Sequence, residues 1–436
     1  MNGKEGLLSF ANIPELKRRL LYLFLGLAIY RFAIHIPAPG INAEAFLEFF
    51  QRAGGTLFGF LDIFSGGALR RFSICALGVM PYISASIIMQ LFTVVFPNIK
   101  EYYKEGPEGR RKIAYYTRYL TVVICLIQGF GIALGLEKMV SPSGIPIVAD
   151  PGWNFRLMTM ITLTAGTLFL VWLGEQMTEH GIGNGISMII FAGIVAGIFP
   201  AISRTLKFFQ TGEFSLLMVL LILILLFGIL AFTCFMELSQ RRIPVHYAKR
   251  QVGRQIVGGQ TSYLPLKINS AGVIPPIFAS SILMFPTTIA SFVPLPFFQE
   301  FSRWLNPGGM LYNLIFAGLI IFFCYFYTAV VFNPKEVADN LKKWGGFIPG
   351  IRPGSATEEF LEKVLMRITF IGALYIAFIC VLPNFLVYKI NLPFYFGGTS
   401  LLIVVGVALD LVGQIEAHLL SRQYEALIKQ TRIKTR

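Results

Sequence analysis

Residues 214–236, FSLLMVLLILILLFGILAFTCFM, run for 23 positions without a charge, and residues 239–250, SQRRIPVHYAKR, follow with four basic residues. About 20 apolar residues in a helix match the roughly 30 Å hydrocarbon core of a bilayer, so this stretch reads as a membrane span that ends on a basic loop. The same pattern recurs in both directions along the chain. Ten apolar stretches lie near 17–36, 73–96, 116–136, 154–174, 183–203, 214–236, 270–291, 310–332, 367–387 and 394–414. Lys and Arg gather in every second gap between them, with 27 of the 37 on the side of the N-terminus. The positive-inside rule makes that side the cytoplasm and puts both termini there. The first stretch follows Lys17-Arg18-Arg19 and leads into Pro37-Ala38-Pro39-Gly40 with no convincing A-x-A site. It is therefore expected to stay as a first helix and not to be cleaved as a signal peptide.

Composition agrees with a multi-pass membrane protein. Charged residues make up 14% of the 436, against roughly 25% in an average soluble domain. The net charge of +14 would suit nucleic acid, but the cations flank apolar spans and do not interleave with aromatics on a soluble face. Topology and anionic lipid account for most of it, and an acidic cytoplasmic partner accounts for the part carried by unusually long loops. The five cysteines (Cys75, Cys125, Cys234, Cys324, Cys380) lie inside apolar stretches without C-x-x-C spacing. They read as small packing residues, and neither a disulfide framework nor a metal site is expected.

Ten spans divide into two sets of five, with a break near 208–213, giving halves 1–207 and 208–436. Because five is odd, the second set enters from the opposite side, which is the arithmetic of an inverted repeat around a midplane pathway. The expected fold is an all-α membrane protein of ten transmembrane helices in two inverted five-helix halves. Three cytoplasmic stretches stand out: 97–115, 238–269 and 333–366. The last two are long enough to suggest function, and a docking surface and a mere topology signal remain the alternatives. Between the first two spans, residues 57–71 are apolar but too short to cross, with glycines on both sides. They read as a re-entrant helix buried in the bundle or as an amphipathic helix on the membrane surface.

Catalytic constellations are absent. His35, His180, His246 and His418 show no ligand spacing. Glu175, Glu179 and His180 cluster at a cytoplasmic helix end, where polar residues need no special explanation. Gly181-Ile-Gly-Asn-Gly185 joins two spans without a strand or P-loop lysine, so it reads as a tight turn. Gly193 and Gly197 read as a close helix-packing face. The second, sixth, seventh and ninth spans carry no charge in their apolar interiors, which argues against an ion-coupled transporter of small solutes, the nearest alternative class. Ile83 and Ile87, like Ile186 and Ile190, share a helical face. Spacing alone favours lipid-facing or core aliphatics over a pore lining.

Several longer runs carry a family resemblance. Ala76-Leu-Gly-Val-Met-Pro-Tyr-Ile-Ser-Ala-Ser-Ile-Ile-Met-Gln90, Gly181-Ile-Gly-Asn-Gly-Ile-Ser187, Arg241-Arg-Ile-Pro-Val245 and Tyr247-Ala-Lys-Arg250 resemble the bacterial SecY family. So do Leu264-Pro-Leu-Lys-Ile-Asn269, Pro349-Gly-Ile-Arg-Pro-Gly354 and Pro393-Phe-Tyr-Phe-Gly-Gly-Thr-Ser400, and the likeness spans essentially the whole chain. The resemblance implies a passive, non-enzymatic channel for unfolded polypeptides, with a central pore between the halves. It implies a pore ring of Ile83, Ile87, Ile186, Ile190, Ile277 and Ile403. A plug helix at about 57–71 would include Leu57, Phe58, Phe60, Leu61, Ile63, Phe64, Gly66, Gly67 and Leu69. A lateral gate would include Ile87, Ile88, Gln90, Asn269 and Phe285, with helices weakened by Pro275, Pro276 and Pro286. Partner docking would fall on Arg241, Arg242, Lys249, Arg250, Arg254 and Arg352. The implied partners are SecE and SecG subunits, the motor ATPase SecA, the ribosome, signal-bearing polypeptides and lipid of the bacterial cytoplasmic membrane. No cofactor and no metal are expected.

Overall fold

A computed structural model of the chain describes residues 14–53, 64–96, 106–137, 144–212, 215–247, 250–252, 255–257, 261–292, 309–390 and 397–434, with Asp62, Ile99, Met139 and Ser141. Each of the ten stretches read as spans falls on a helix. The first half holds α1 (Pro14–Ala33), the short α2 (Ala43–Ala53), α3 (Met80–Val95), α4 (Pro107–Glu137), α5 (Trp153–His180) and α6 (Gly185–Gln210). The second half holds α7 (Leu216–Leu238), strands β1 (Gln240–Tyr247), β2 (Arg250–Val252), β3 (Gln255–Val257) and β4 (Thr261–Lys267), then α8 (Ile274–Phe292) and α9 (Met310–Val331). It closes with α10 (Pro334–Lys343), β5 (Gly346–Phe347), α11 (Ser355–Ile390) and α12 (Gly398–Lys434). Among the described residues, α4, α5, α6, α7, α9, α11 and α12 are each long and apolar enough to cross a bilayer. The chain is a multi-pass membrane protein.

Four differences from the sequence reading have local causes. The second span is helical only from Met80, giving 16 residues, about 24 Å at 1.5 Å per residue. Residues 73–79 are turns because Gly78 sits at φ +59° and the Ser73 hydroxyl draws in the Cys75 amide at 3.0 Å. Second, α2 was not expected. Asn42 caps it by accepting from the Glu44 and Ala45 amides at 3.2 and 3.3 Å, and Phe46 and Phe50, one turn apart, bury against Phe72, Ile147 and Leu163. Third, the three stretches expected on the cytoplasmic side are not plain loops. Residues 107–115 and 355–366 already belong to α4 and α11. Fourth, the two long stretches meet in one sheet.

That sheet has the order β4-β1-β5, all antiparallel. Ile243 and Val245 point inward and Arg242 and Pro244 outward. Beneath it, Ile243, Val245, Leu266, Leu341, Ile348, Leu361 and Val364 form a small core of their own against α10 and α11. Pro244 is tolerated in the middle strand because β5 covers only His246 and Tyr247, so β1 is an edge at Pro244. In the membrane, α1 packs on α5 and α6, and α3 on α4, while α8, α9 and α11 form a second packed group. The halves meet where α8 contacts α3 and α4, and where α12 contacts α6.

Candidate functional site

The six isoleucines come from four helices, two in each half: Ile83 and Ile87 on α3, Ile186 and Ile190 on α6, Ile277 on α8, and Ile403 on α12. Ile190, Ile277 and Ile403 are buried in one apolar cluster, with Ile83 and Ile186 packed against it. Ile87 is buried one turn on, in the adjoining cluster of Phe278, Leu283 and Ile379, and Ile83 touches both. Ile87, Ile190, Ile277 and Ile403 are buried, and Ile83 and Ile186 are half-buried, so packing favours the interior over the lipid-facing alternative. The turn 181–185 sets the α6 pair. Gly183 takes φ +84°, and the Asn184 side chain caps α6 by accepting from the amides of Ile186 and Ser187 at 3.1 and 3.3 Å. The Gly185 amide donates to Thr178 Oγ1 at 2.8 Å, and a Cβ on Gly174 would fall 2.7 Å from Ile186 Cγ1. The Gly183 amide donates to Gln414 Oε1 on α12 at 2.8 Å, tying this turn to the other half.

The short segment lies inside the bundle, which removes the surface-helix alternative for its described part. Phe64, Ala68, Cys75 and Val79 belong to the same apolar cluster as Ile190, Ile277 and Ile403. Leu57, Phe58, Phe60, Leu61 and Ile63 lie outside the described residues. Gly66 and Gly67 adopt φ +68° and +88°, a region that favours glycine. Local side chains close the turn: the Arg70 amide donates to Asp62 Oδ1 at 2.9 Å and the Leu69 amide to Ser65 Oγ at 3.2 Å. Just past the segment, two bonds between residues distant in sequence tie the chain to the end of the first span: the Ala38 amide donates to the Phe72 carbonyl at 2.8 Å and the Ile74 amide to the Ile36 carbonyl at 3.0 Å. The Ile74 carbonyl fills the space over Gly166, where no side chain could fit.

Of the residues read as a gate, Ile87 packs against Phe278 and Leu283 of α8, and Ile88 and Gln90 are half-buried on the same helix. Asn269 is buried but turns to α7, donating from Nδ2 to Glu237 Oε1 at 2.6 Å and to the Gly272 carbonyl at 3.1 Å. Phe285 is on α8, in the part whose side chains lie outside the described residues. Pro275 and Pro276 occupy the first turn of α8, where a missing N–H removes no helical bond; only Pro286 interrupts its interior.

Arg241 and Arg242 are exposed on β1, while Lys249 and Arg254, and the side chain of Arg250, lie outside the described residues. Arg352 is exposed at the tip of a turn that has Gly350 at φ +81° and Gly354 at φ +111°. Thr357 Oγ1 donates to the Arg352 carbonyl at 2.9 Å, and Ile348 below it is buried in the small core. The backbone is fixed and the guanidinium is free to reach outward.

Glu175 does have a partner that its place at a helix end gave no reason to expect. Arg118 of α4 reaches it in a two-pronged pair at 3.0 and 2.6 Å, which ties α4 to α5. Arg156 and Glu137 make the corresponding tie at the other end of the same helices. Tyr30 has no motif to mark it, and Arg31 stands in the sequence only as a charge near the outer end of the first span. Both touch the re-entrant segment, and the signal available was an arginine inside the first apolar stretch.

The SecY family model matches residues 73–412 of this chain. The chain is 52% identical over 426 residues to the protein translocase subunit SecY of Escherichia coli (strain K12), covering 97% of this chain and 96% of that protein. Among solved structures it resembles one described as the structure of a protein conducting channel, with TM-score 0.69, 18% identity and 93% of each chain covered. It also resembles Sec61 in the canine ribosome–channel complex from the endoplasmic reticulum, with TM-score 0.63, 18% identity and 93% of each chain covered.

Proposed function

The chain belongs to the SecY family, and from that premise we propose that it forms a passive channel through which unfolded secretory polypeptides cross the bacterial cytoplasmic membrane and membrane segments leave sideways into lipid. It is a translocase subunit and not an enzyme, and its driving force comes from partners. The observation that carries this reading is the single apolar cluster that joins isoleucines from both halves to the buried end of the re-entrant segment. A neutral aliphatic constriction yields to any passing side chain, and it resists ions at rest because a narrow apolar passage dewets. The six isoleucines are the pore ring, the segment at 57–71 is the plug, and residues 1–207 and 208–436 are the two halves.

The α3–α8 contact is the lateral gate, since it joins the halves and both helices are short. The cytoplasmic face, with both termini, carries the docking surface. There the β1–β4–β5 sheet and the Arg352 turn stand on a core separate from the membrane bundle, and they would receive the motor ATPase SecA and the ribosome. SecE and SecG complete the membrane assembly. The test is a pair of cysteines, Ile87→Cys and Phe285→Cys, on a background without the native five. A short crosslink is expected to stop translocation of a secretory precursor into proteoliposomes, and a long flexible one at the same sites to permit it. Equal transport with both tethers would remove the gate from this reading.

A further inference from the structure

The re-entrant segment meets α1 and α6 closely at Gly66. A Cβ there would fall 2.9 Å from Gly193 Cα and 2.5 Å from Tyr30 Oη. The reverse holds as well: a Cβ on Gly193 would fall 3.0 Å from Tyr30 Oη and 3.2 Å from Gly66 Cα. Two backbones and a phenol therefore touch with no room for one methyl group between them. Polar contacts secure the same point. Arg31 Nη1 donates to the Gly66 carbonyl at 2.9 Å, and Tyr30 Oη donates to the Ser65 carbonyl at 3.4 Å. Tyr30 and Ser65 are both buried. On α6, Gly193 follows Ile186 and Ile190 on one face at helical spacing, so the contact lies one turn from the isoleucine cluster. Gly197, one turn further, has nothing within 4 Å of its Cβ position.

We propose that Gly193 is the seat of the re-entrant segment and that Tyr30 and Arg31 are the positioning residues that hold Gly66 in it, so that this one contact sets how tightly the resting channel is closed. The proposal rests on the plug reading above. The seat has a physical advantage over a side-chain socket. Glycine against glycine releases cleanly, because no interdigitated side chains must be withdrawn, while the carbonyl bonds from Arg31 and Tyr30 give the contact direction. Any side chain at 193 would hold the segment off its seat without altering the isoleucines.

The experiment uses the full chain in its assembled channel, reconstituted in planar bilayers, with resting ion conductance as the readout. Gly193→Leu is expected to raise the leak about tenfold, the scale of overpacking one close contact, and Gly193→Ala to raise it less. Tyr30→Phe and Arg31→Gln, which add no bulk and preserve the fold, should each give a smaller rise. Gly197→Leu should give none. The same substitutions are then made in a chain lacking residues 57–71. There Gly193→Leu should add nothing, because its effect acts only through the segment. A second measurement places Cys at Ser65: labelling by a membrane-impermeant thiol reagent should be slow in the parent and fast with Gly193→Leu. An equal rise from Gly193→Leu with and without the segment would overturn the seat, as would unchanged leak and labelling in every 193, 30 and 31 variant. If the deletion itself leaks and those variants do not, the seat fails alone and the plug stands. If the deletion does not leak, both fail.

Discussion

The β4-β1-β5 sheet and the re-entrant segment both leave the spanning-helix pattern, and they solve the backbone problem in opposite ways. The sheet satisfies its peptide groups with a regular ladder, seven residue pairs between β1 and β4, and so it can stand in water and spend its side chains on charge. The described part of the segment makes no such ladder, and only an isolated bridge, Pro37 to Ser73, follows it. Its amides and carbonyls go to Asp62 and Ser65, to the carbonyl of Ile36, and to the side chains of Tyr30 and Arg31. It works only because it is enclosed by helices whose glycines let backbone approach backbone. Irregular backbone at membrane depth requires that enclosure. Thus the sheet should tolerate changes of shape better than changes of charge, and the segment the reverse.

The largest effect that would break this contrast is on the segment's side. Gly166→Leu drives a side chain into the Ile74 carbonyl, which cannot move without dragging the turns that precede α3. The expected loss is about 3 kcal/mol, the upper part of the range for overpacking, seen as a lower midpoint of thermal unfolding in detergent. A midpoint unchanged within a degree would mean that the turns joining the segment to α3 are not enclosed as described.

Next is charge on the cytoplasmic side. Arg352→Glu is expected to cut translocation of a secretory precursor into vesicles more than about tenfold, as for reversal of an interface hot spot, while protease accessibility of the loops shows normal orientation. Arg352→Lys should be impaired too, because a docking partner reads the planar fork and topology reads only charge. Full activity of both variants would leave the turn with a topological role alone.

The third test weighs the proposed isoleucine constriction. Replacing Ile83, Ile186, Ile190 and Ile403 together with Ser should wet the passage and raise resting conductance several-fold. A channel as tight as the parent would show that the isoleucines are ordinary core.

The smallest effect sharpens the contrast from the sheet's side. A Cβ on Gly346 would sit 3.1 Å from Tyr247 Cε1 and 3.2 Å from Val245 Cγ1, so Gly346→Val should part β5 from β1. The expected cost is about 1 kcal/mol, the low end for overpacking. It should be visible as faster tryptic cleavage within 333–354, with translocation reduced by less than Arg352→Glu reduces it.

The sequence by itself determined the apolar spans, their order and the place of an apolar segment too short to cross. These follow from run length and local charge, which need no knowledge of what lies across the bundle. It also marked the isoleucine pairs on α3 and α6, although spacing alone pointed them at lipid or core; only packing showed that isoleucines from both halves converge. The strand in Arg242-Ile-Pro-Val245 was faintly legible as alternation, but Pro244 argued against it, and its pairing with residue 346 is a long-range event that no local pattern encodes. The glycines were the least legible of all. Gly166, Gly193 and Gly66 look like any other glycines in apolar surroundings, because what distinguishes them is the backbone that approaches from a distant part of the chain. Close approach is a property of two surfaces together, and only the tertiary structure brings the second surface into place.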